Sequence, residues 1–210
     1  MKIEDWGLID YGSAVSKQLA LLEMVNEGED DTLVFCQHPA VVTLGRGSVP
    51  EETADWHGAV FESSRGGRAT YHGPNQLVIY PVLDLTRSRS FRSRDVHAYL
   101  RALESATVTA IREMGLVGAE ARTSVIGELS LTGVWAGEYK IASLGIAVRK
   151  WITYHGVAVN VLNDPSAFVG IRPCGFAPSV MTSLEASLGR AVLMADFSEV
   201  CRRVFVSGLS

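Results

Sequence analysis

A cysteine between a proline and a glycine is the residue of this sequence that points most directly to chemistry. Cys174 stands in the tetrapeptide Arg172-Pro173-Cys174-Gly175, whose proline and glycine favour a loop over a helix or a strand interior. A sulfur in such a loop is accessible to a substrate, which favours a nucleophile. The alternative is a small buried apolar residue, the usual role of a free cysteine.

A thiol needs a partner that removes its proton, because little of it is thiolate at neutral pH. Lys140 is a candidate, and it opens the apolar segment at residues 141–146. A lysine at the edge of a strand is commonly a solvated residue that prevents aggregation. Burial beside a thiol would instead lower the pKa of the amine and let it take up and return protons.

The other two cysteines have apolar surroundings. Cys36 ends an apolar strand pattern, and Cys201 shares a helical face with Phe197 and Val204, so both are predicted to be structural. An odd number of cysteines without a secretion signal favours free thiols over a disulfide framework. We therefore expect a reduced compartment and cytoplasmic localisation.

Residues 65–74 combine two arginines, a histidine, hydroxyl groups and three glycines in ten positions. Backbone N–H groups of such a loop can bind an oxyanion or a phosphate, although glycine pairs also form ordinary turns. The loop lacks the G-x-x-x-x-G-K-[ST] pattern of a phosphate-binding loop. The five histidines of the chain lack the paired spacing of zinc ligands, so no metal site is predicted.

The elements that must hold these side chains are predicted from periodicity and capping residues. Helical spacing runs from a cap at Ser13 to a stop at Gly28, and again from Val96 to Gly115. The loop at residues 45–64 shows no strong periodicity. Extended segments are predicted at residues 32–36, 41–45 and 76–85.

The second half of the chain begins with a segment rich in Val, Ile, Trp and Thr. Residues 133–161 predict consecutive antiparallel strands, and residues 170–178 predict a turn-rich loop. Capping-box spacing at Thr182 and Asp196 predicts two short closing helices. Because the strands come in runs, an α+β fold is expected, with a mixed or antiparallel central sheet flanked by helices.

Composition limits the classes of function. The 210 residues are 47% hydrophobic and 20% charged, which predicts one soluble domain over residues 1–210. The net charge of −4 and a pI near 5.7 argue against a general nucleic-acid binder. No apolar run reaches the roughly 18 residues of a membrane helix, so neither nucleic acid nor a membrane is an expected partner.

Taken together, the motifs resemble the lipoyl(octanoyl) transferase family, the octanoyltransferases of lipoate biosynthesis. They appear in the family's order and cover most of the chain from about residue 36 to 185, which makes a chance match improbable. The matching segments are residues 38–46 (HPAVVTLGR), 65–67 (RGG), 70–74 (TYHGP), 76–78 (QLV), 133–135 (GVW), 140–142 (KIA), 153–156 (TYHG), 160–161 (NV), 173–175 (PCG) and 182–184 (TSL).

The resemblance implies a fold like the catalytic domains of lipoate and biotin protein ligases, with an acyl tunnel beside a mixed sheet and no cofactor. It implies that Cys174 is the acyl-thioester nucleophile and Lys140 its general acid/base partner. The implied donor is octanoyl acyl carrier protein, and the implied acceptors are lipoyl domains of 2-oxo acid dehydrogenases and the glycine cleavage H protein. The residues implied to line the acyl and substrate site are Arg65, Gly66, Gly67, Arg68, Ala69, Thr70, Tyr71, His72, Ser143, Leu144, Gly145, Gly156, Val157 and Ala158.

The mechanism further requires donors for an oxyanion and a surface for carrier proteins. Backbone N–H groups near Cys174 or in residues 65–72 are candidates for the oxyanion. Basic residues are candidates for contacts with acidic carriers, or else are solvated charges near strand ends. These residues are Arg46, Arg65, Arg68, Arg149 and Lys150.

Two positions depart from the family pattern. Asn75 replaces a second glycine after His-Gly-Pro, and because asparagine tolerates a positive φ the turn is expected to survive. Met181 replaces a β-branched residue and is expected to affect packing alone. Two other functions stay open: an ATP-dependent lipoate or biotin protein ligase, which needs no cysteine nucleophile, and a noncatalytic acyl-binding or carrier-binding module.

Overall fold

A computed structural model describes residues 1–87, 89–123, 125–126 and 129–210. Its helices are α1 (Tyr11–Asn26), α2 (Val96–Glu113), α3 (Leu184–Leu188) and α4 (Met194–Leu209). Its strands are β1 (Lys2–Leu8), β2 (Thr32–Gln37), β3 (Val41–Leu44), β4 (Ala59–Glu62), β5 (Thr70–His72), β6 (Gln76–Val82), β7 (Ala119–Arg122), β8 (Val125–Ile126), β9 (Leu129–Ser130), β10 (Gly133–Ala136), β11 (Tyr139–Arg149) and β12 (Ile152–Asn160).

The described strands form one large sheet and two smaller ones. The large sheet has seven strands in the order β1-β2-β6-β12-β11-β10-β7. Only its β1–β2 pair is parallel, and the other neighbours are antiparallel. In the three-stranded sheet, β3 lies between its parallel neighbour β4 and its antiparallel neighbour β5. The predicted α+β fold with a mixed sheet and flanking helices is confirmed.

The large sheet separates two apolar layers. Helices α2 and α4 cover one face with the main core, which includes Tyr99, Leu103 and Phe197. Helix α1 covers the other face and packs against β6 and β12. Every residue of β6 and β12 is buried, because both faces of these central strands are covered. Each fully buried large apolar side chain contributes roughly 1.5–3 kcal/mol of transfer free energy.

Several predicted boundaries were wrong. Helix α1 is capped by Asp10, whose carboxylate accepts from the N–H of Ser13, so Ser13 lies inside the first turn. Ser183 rather than Thr182 caps α3, because its hydroxyl accepts from the N–H of Ala186. Helix α4 begins before Asp196 and runs for 16 residues, so it is not a short helix.

The sequence patterns did not predict strands β1, β4, β5, β7, β8 and β9. Strand β4 lies in the loop at residues 45–64, and all four of its side chains are exposed, so it carries no apolar alternation. Strand β1 is an edge strand that is largely exposed as well. The strands predicted within residues 133–161 are present as β10, β11 and β12. Among the described residues, no helix has both the length and the apolar character that crossing a membrane requires.

Candidate active site

The chain folds so that Cys174 and Lys140 meet inside the protein. The Lys140 Nζ lies 3.7 Å from the Cys174 Sγ, although the two residues are 34 positions apart. Lys140 is fully buried, and Cys174 is 8% exposed. Burial lowers the pKa of the Lys140 ammonium, and the positive charge of Arg65 lowers it further, whereas the charge of Cys174 opposes the shift. The amine is therefore better suited to lose a proton than an exposed lysine.

A strained turn presents the sulfur. Cys174 lies in a 3₁₀ turn at Pro173–Gly175 with φ of 54°, a left-handed conformation that is uncommon for residues other than glycine. Its N–H donates to the carbonyl of Ala69 at 3.0 Å. The N–H groups of Gly175 and Phe176 also donate within the turn, both at 3.0 Å. These three amides are occupied, so the expectation of an oxyanion site beside Cys174 does not fit this geometry.

Two aromatic rings and a glycine fix the lysine. The Lys140 Nζ lies 5.7 Å from the ring centroid of Trp135 and 5.9 Å from that of Phe176, and both rings attract a cation. On the neighbouring strand β10, an added Cβ at Gly133 would lie 2.5 Å from Lys140 Cε and closer still to the carbonyl oxygen of Ala142. The lysine side chain thus occupies the space that any other residue at position 133 would need.

A cavity of about 210 Å³ opens beside the sulfur. Its floor consists of small residues on adjacent strands, where Ser143 pairs with Ala158 and Gly145 pairs with Gly156. The segment at residues 65–72 forms the roof of the cavity. An added Cβ at Gly145 would lie 3.0 Å from Arg65 Cδ, so the absence of a side chain at this position lets the roof approach the sheet. The cavity is lined by Tyr11, Arg65, Gly66, Gly67, Arg68, Thr70, His72, Val78, Tyr80, Leu100, Thr132, Ser143, Leu144, Gly145, Ile146, His155, Gly156, Val157, Ala158 and Cys174.

Arg65 holds the roof of the cavity in place from the interior. The Arg65 Nη1 donates to the carbonyls of Gly66 at 3.2 Å and Arg68 at 2.9 Å, and Nη2 donates to the carbonyl and hydroxyl of Thr43, both at 2.7 Å. Arg65 is only 7% exposed. Its guanidinium therefore does not reach a carrier protein, and that part of the sequence prediction is wrong.

Another part of the lining, the histidine wall, consists of the neutral polar side chains of His72, His155 and Tyr80. Burial lowers the pKa of His155 to about 4 and the pKa of His72 well below its ordinary value, and the Arg65 charge acts in the same direction. Burial also raises the pKa of Tyr80, whose hydroxyl lies 2.8 Å from His38 Nε2. At neutral pH this wall presents uncharged imidazoles and phenols.

Most of the residues implied by the family resemblance line this cavity, but two do not. Ala69 contributes its backbone carbonyl to Cys174 and lies outside the lining. Tyr71 packs its ring against Phe168 and Trp56, with centroids 5.2 and 5.9 Å apart. Sequence reasoning missed part of the lining, namely Tyr11, Val78, Tyr80, Leu100, Thr132, Ile146 and His155. Of these, His155 had a signal, because it belongs to the second Thr-Tyr-His-Gly tetrapeptide.

The two departures from the family pattern have clear structural settings. Asn75 is not among the described residues with positive φ, so the turn does not require the conformation that glycine favours. Its carbonyl accepts from the N–H groups of Val161 and Leu162. Met181 packs in the apolar cluster around Phe168, in agreement with its predicted packing role.

The comparisons with known proteins identify the family. The model of the lipoyl protein ligase A/B catalytic domain matches residues 10–206. An octanoyltransferase of Bdellovibrio bacteriovorus is 46% identical over 207 residues, which cover 95% of this chain and 94% of that protein. The chain belongs to the octanoyltransferases of this family.

Further relatives agree with that assignment. The octanoyltransferase of Geobacter metallireducens is 41% identical over 197 residues, which cover 93% of this chain and 87% of that protein. The crystal structure of lipoate-protein ligase A bound with ATP is similar with a TM-score of 0.79 at 20% identity, over 99% of this chain and 84% of that chain. The likeness to the ligase concerns the fold.

The packing at Gly133 predicts a sharp steric effect on octanoyl transfer. Gly133→Ala should lower the transfer rate about 100-fold, because the new methyl group displaces the Lys140 side chain from Cys174. Gly137→Ala is the matched control in the same hairpin, since an added Cβ there meets nothing within 4 Å, although its φ of 58° adds backbone strain. Initial rates and melting temperatures of both variants test this. Equal losses of rate would contradict it.

The buried histidine wall predicts loss of stability in acid. The pKa of His155 is about 4 in the folded chain and near 6.5 in the unfolded chain. The unfolded state therefore binds more protons between these values, so the free energy of unfolding falls as the pH drops from about 6.5 to 4. This histidine accounts for at most about 3 kcal/mol.

Urea denaturation at pH 7 and pH 4.5 measures that loss. His155→Asn removes the titrating ring and tolerates the observed φ of 56°, so its free energy of unfolding should depend less on pH. An unchanged pH dependence in this variant would show that other groups cause the loss.

Proposed function

We propose that this octanoyltransferase carries the acyl group as a thioester on Cys174, with Lys140 as the general acid and base. The donor is octanoyl acyl carrier protein, and the acceptor is a lysine on a lipoyl domain of a 2-oxo acid dehydrogenase or on the glycine cleavage H protein. The observation that carries the proposal is the 3.7 Å contact between a buried amine and a buried thiol beside a cavity. Lys140 lies on strand β11 and Cys174 lies in the turn at Pro173–Gly175, so the fold, and not the local sequence, brings the two groups together.

The first half-reaction loads the enzyme. Lys140 takes the proton of the Cys174 thiol, and the thiolate attacks the carbonyl carbon of the donor thioester. The tetrahedral intermediate expels the carrier thiolate, which recovers the proton from the Lys140 ammonium. One thioester replaces another, so this step is nearly balanced in free energy. The lowered pKa of Lys140 supports both directions of proton transfer.

The second half-reaction delivers the acyl group. The acceptor lysine attacks the Cys174 thioester, Lys140 removes a proton from the attacking amine, and the Cys174 thiolate departs. An amide is more stable than a thioester, so this step drives the overall reaction without ATP. Because the enzyme stores the acyl group covalently, the two carrier proteins use the same surface one after the other.

The cavity is proposed to hold the acyl chain and the reacting carbonyl. The apolar side chains of Leu144 and Val157 and the small floor residues suit a methylene chain. Residues of the 65–72 segment are proposed to orient the substrate, with Thr70 and His72 in the lining and Ala69 supporting the cysteine turn.

Of the surface cations, Arg46, Arg149 and Lys150 are exposed and stay candidates for contacting an acidic carrier. Arg68 pairs with Glu52 at 2.8 Å, and Arg149 and Lys150 pair with Glu23. A single domain over residues 1–210 and cytoplasmic localisation stay predictions, and the three free cysteines agree with a reducing compartment.

The alternative is an ATP-dependent ligase, because lipoate-protein ligase A shares the fold of this chain. Adenylate chemistry makes no use of a cysteine nucleophile. The buried Cys174–Lys140 contact and the identity to octanoyltransferases therefore favour the thioester route.

The thioester route predicts a covalent adduct on one cysteine. Incubation with octanoyl acyl carrier protein should add one octanoyl group to the wild type, and hydroxylamine should remove it. Cys174→Ala should carry no adduct, and Lys140→Ala should load about 100 to 1,000 times more slowly because it lacks the general base. Cys201→Ala is the control, since that thiol is buried in the core and should be dispensable. Intact-mass spectrometry measures all four, and an adduct on Cys174→Ala would refute the route.

The same route predicts ping-pong kinetics. Initial rates at varied donor and acceptor concentrations should give parallel double-reciprocal lines, and addition of ATP should leave them unchanged. Intersecting lines together with a requirement for ATP would favour the ligase.

A further inference from the structure

A buried carboxylate lies directly behind the cysteine turn. Glu52 ends the 3₁₀ turn at Pro50–Glu52 and is 2% exposed. It belongs to the loop at residues 45–64, where the sequence shows no periodic pattern. A carboxylate is rarely buried this deeply unless it is paired or hydrogen-bonded, so its partners indicate its role.

The carboxylate of Glu52 connects its own loop to the roof of the cavity. Its Oε2 accepts from the N–H of Val49 at 3.1 Å and from the N–H of Ala69 at 3.2 Å. Its Oε1 lies 2.8 Å from the Nε of Arg68. One side chain therefore holds two consecutive residues of the 65–72 segment.

The backbone of Glu52 connects the same loop to the cysteine turn. Its carbonyl accepts from the N–H of Arg172 at 2.7 Å, and the N–H of Cys174 donates to the carbonyl of Ala69 at 3.0 Å. These bonds close a ring that runs from Glu52 through Ala69, Cys174 and Arg172 back to Glu52. An added Cβ at Gly170 would lie 2.5 Å from the carbonyl oxygen of Asp55, so the two loops also pack without space between them.

This ring of hydrogen bonds holds the backbone of Cys174. Cys174 has a left-handed φ of 54°, which persists only where the surroundings enforce it. The direction of the Cα–Cβ bond, and with it the position of the sulfur relative to Lys140, follows from that backbone conformation. Loss of the Glu52 oxygen would leave the Ala69 amide unbonded, and the carbonyl that holds Cys174 would be free to shift.

We propose that Glu52 is a positioning residue for the acyl-bearing cysteine, because its carboxylate and carbonyl together clamp the 65–72 segment onto the turn at Cys174. The inference rests on the proposed thioester function of Cys174. Glu52 acts through Ala69 and Arg172 and does not line the cavity. Its loss should therefore slow loading of the acyl group and leave donor binding unchanged.

The test is the rate of octanoyl loading onto Cys174, followed by intact mass at several concentrations of octanoyl acyl carrier protein. Glu52→Ala should lower the maximal loading rate about 10- to 100-fold and change the half-saturating donor concentration by less than about threefold. Glu52→Asp keeps the charge but withdraws the oxygen by about 1.5 Å, so it should also load slowly. Glu52→Gln keeps an oxygen for the two amides and should recover at least about tenfold over Glu52→Ala.

Glu104→Ala is the matched control, because Glu104 is also 2% exposed and pairs with an arginine, Arg101 on its own helix α2. It should load at the wild-type rate at a temperature where every variant is folded. A wild-type rate in Glu52→Ala would overturn the proposal, and so would an equal loss in Glu104→Ala. If Glu52→Ala does not fold, equal rates in Glu52→Asp and Glu52→Gln overturn it.

The failure of the proposed function is distinguishable from these results. Absence of any Cys174 adduct on the wild type would refute the thioester route itself, and the role of Glu52 would fall with it. A wild-type adduct with unaffected Glu52 variants would refute the positioning role alone.

Discussion

The interior placement of one amine against one thiol is the constraint on which the site depends. An ammonium loses most of its hydration when it is buried, which is why burial lowers the pKa of Lys140. Cys174 is the compensating partner at 3.7 Å, and the faces of two aromatic rings add a weaker attraction. The protein thus keeps a lysine in the interior in a state from which a proton is easily exchanged. A lysine on the surface lacks this effect of burial, so its ammonium has a higher pKa and releases a proton less readily.

Glycine residues and one strained backbone conformation allow the lysine and the cysteine to lie in contact. Gly133 leaves the space that the Lys140 side chain fills, and Gly145 lets Arg65 close the cavity from above. The left-handed conformation of Cys174 is held by backbone hydrogen bonds to Ala69 and within the turn. The position of the sulfur therefore depends on backbone hydrogen bonds, one of them to a neighbouring loop.

The sequence predicted the elements that have a regular residue pattern or composition and the residues that belong to motifs of the family. Helix α2 was predicted from helical spacing and the strands within residues 133–161 from their richness in Val, Ile, Trp and Thr, and Cys174 and Lys140 belong to recognisable motifs. Strand β4 was missed because its exposed side chains show no alternation. The capping residue of α1 was misassigned because aspartate and serine both suit that role. In the structure the Asp10 carboxylate accepts from the N–H of Ser13.

The remaining lining residues of the cavity were not predicted for a different reason. Tyr11 and Leu100 come from helices on opposite faces of the sheet, so no local pattern connects them to the cavity. Arg65 was named as a carrier contact, besides its place in the expected lining, because arginine is usually exposed. Its burial depends on carbonyl acceptors from Thr43 and Arg68 that only the folded chain brings together.

The division of the cavity into a loop roof and a strand floor separates two kinds of substitution. The segment that forms the roof also supplies the Ala69 carbonyl to Cys174, so a mutation there changes both the cavity and the position of the sulfur. Ser143 and Ala158 on the floor bear no hydrogen bond to the cysteine turn. Substitutions at Ser143 or Ala158 should therefore change the shape of the cavity and leave the backbone hydrogen bonds of the cysteine turn in place.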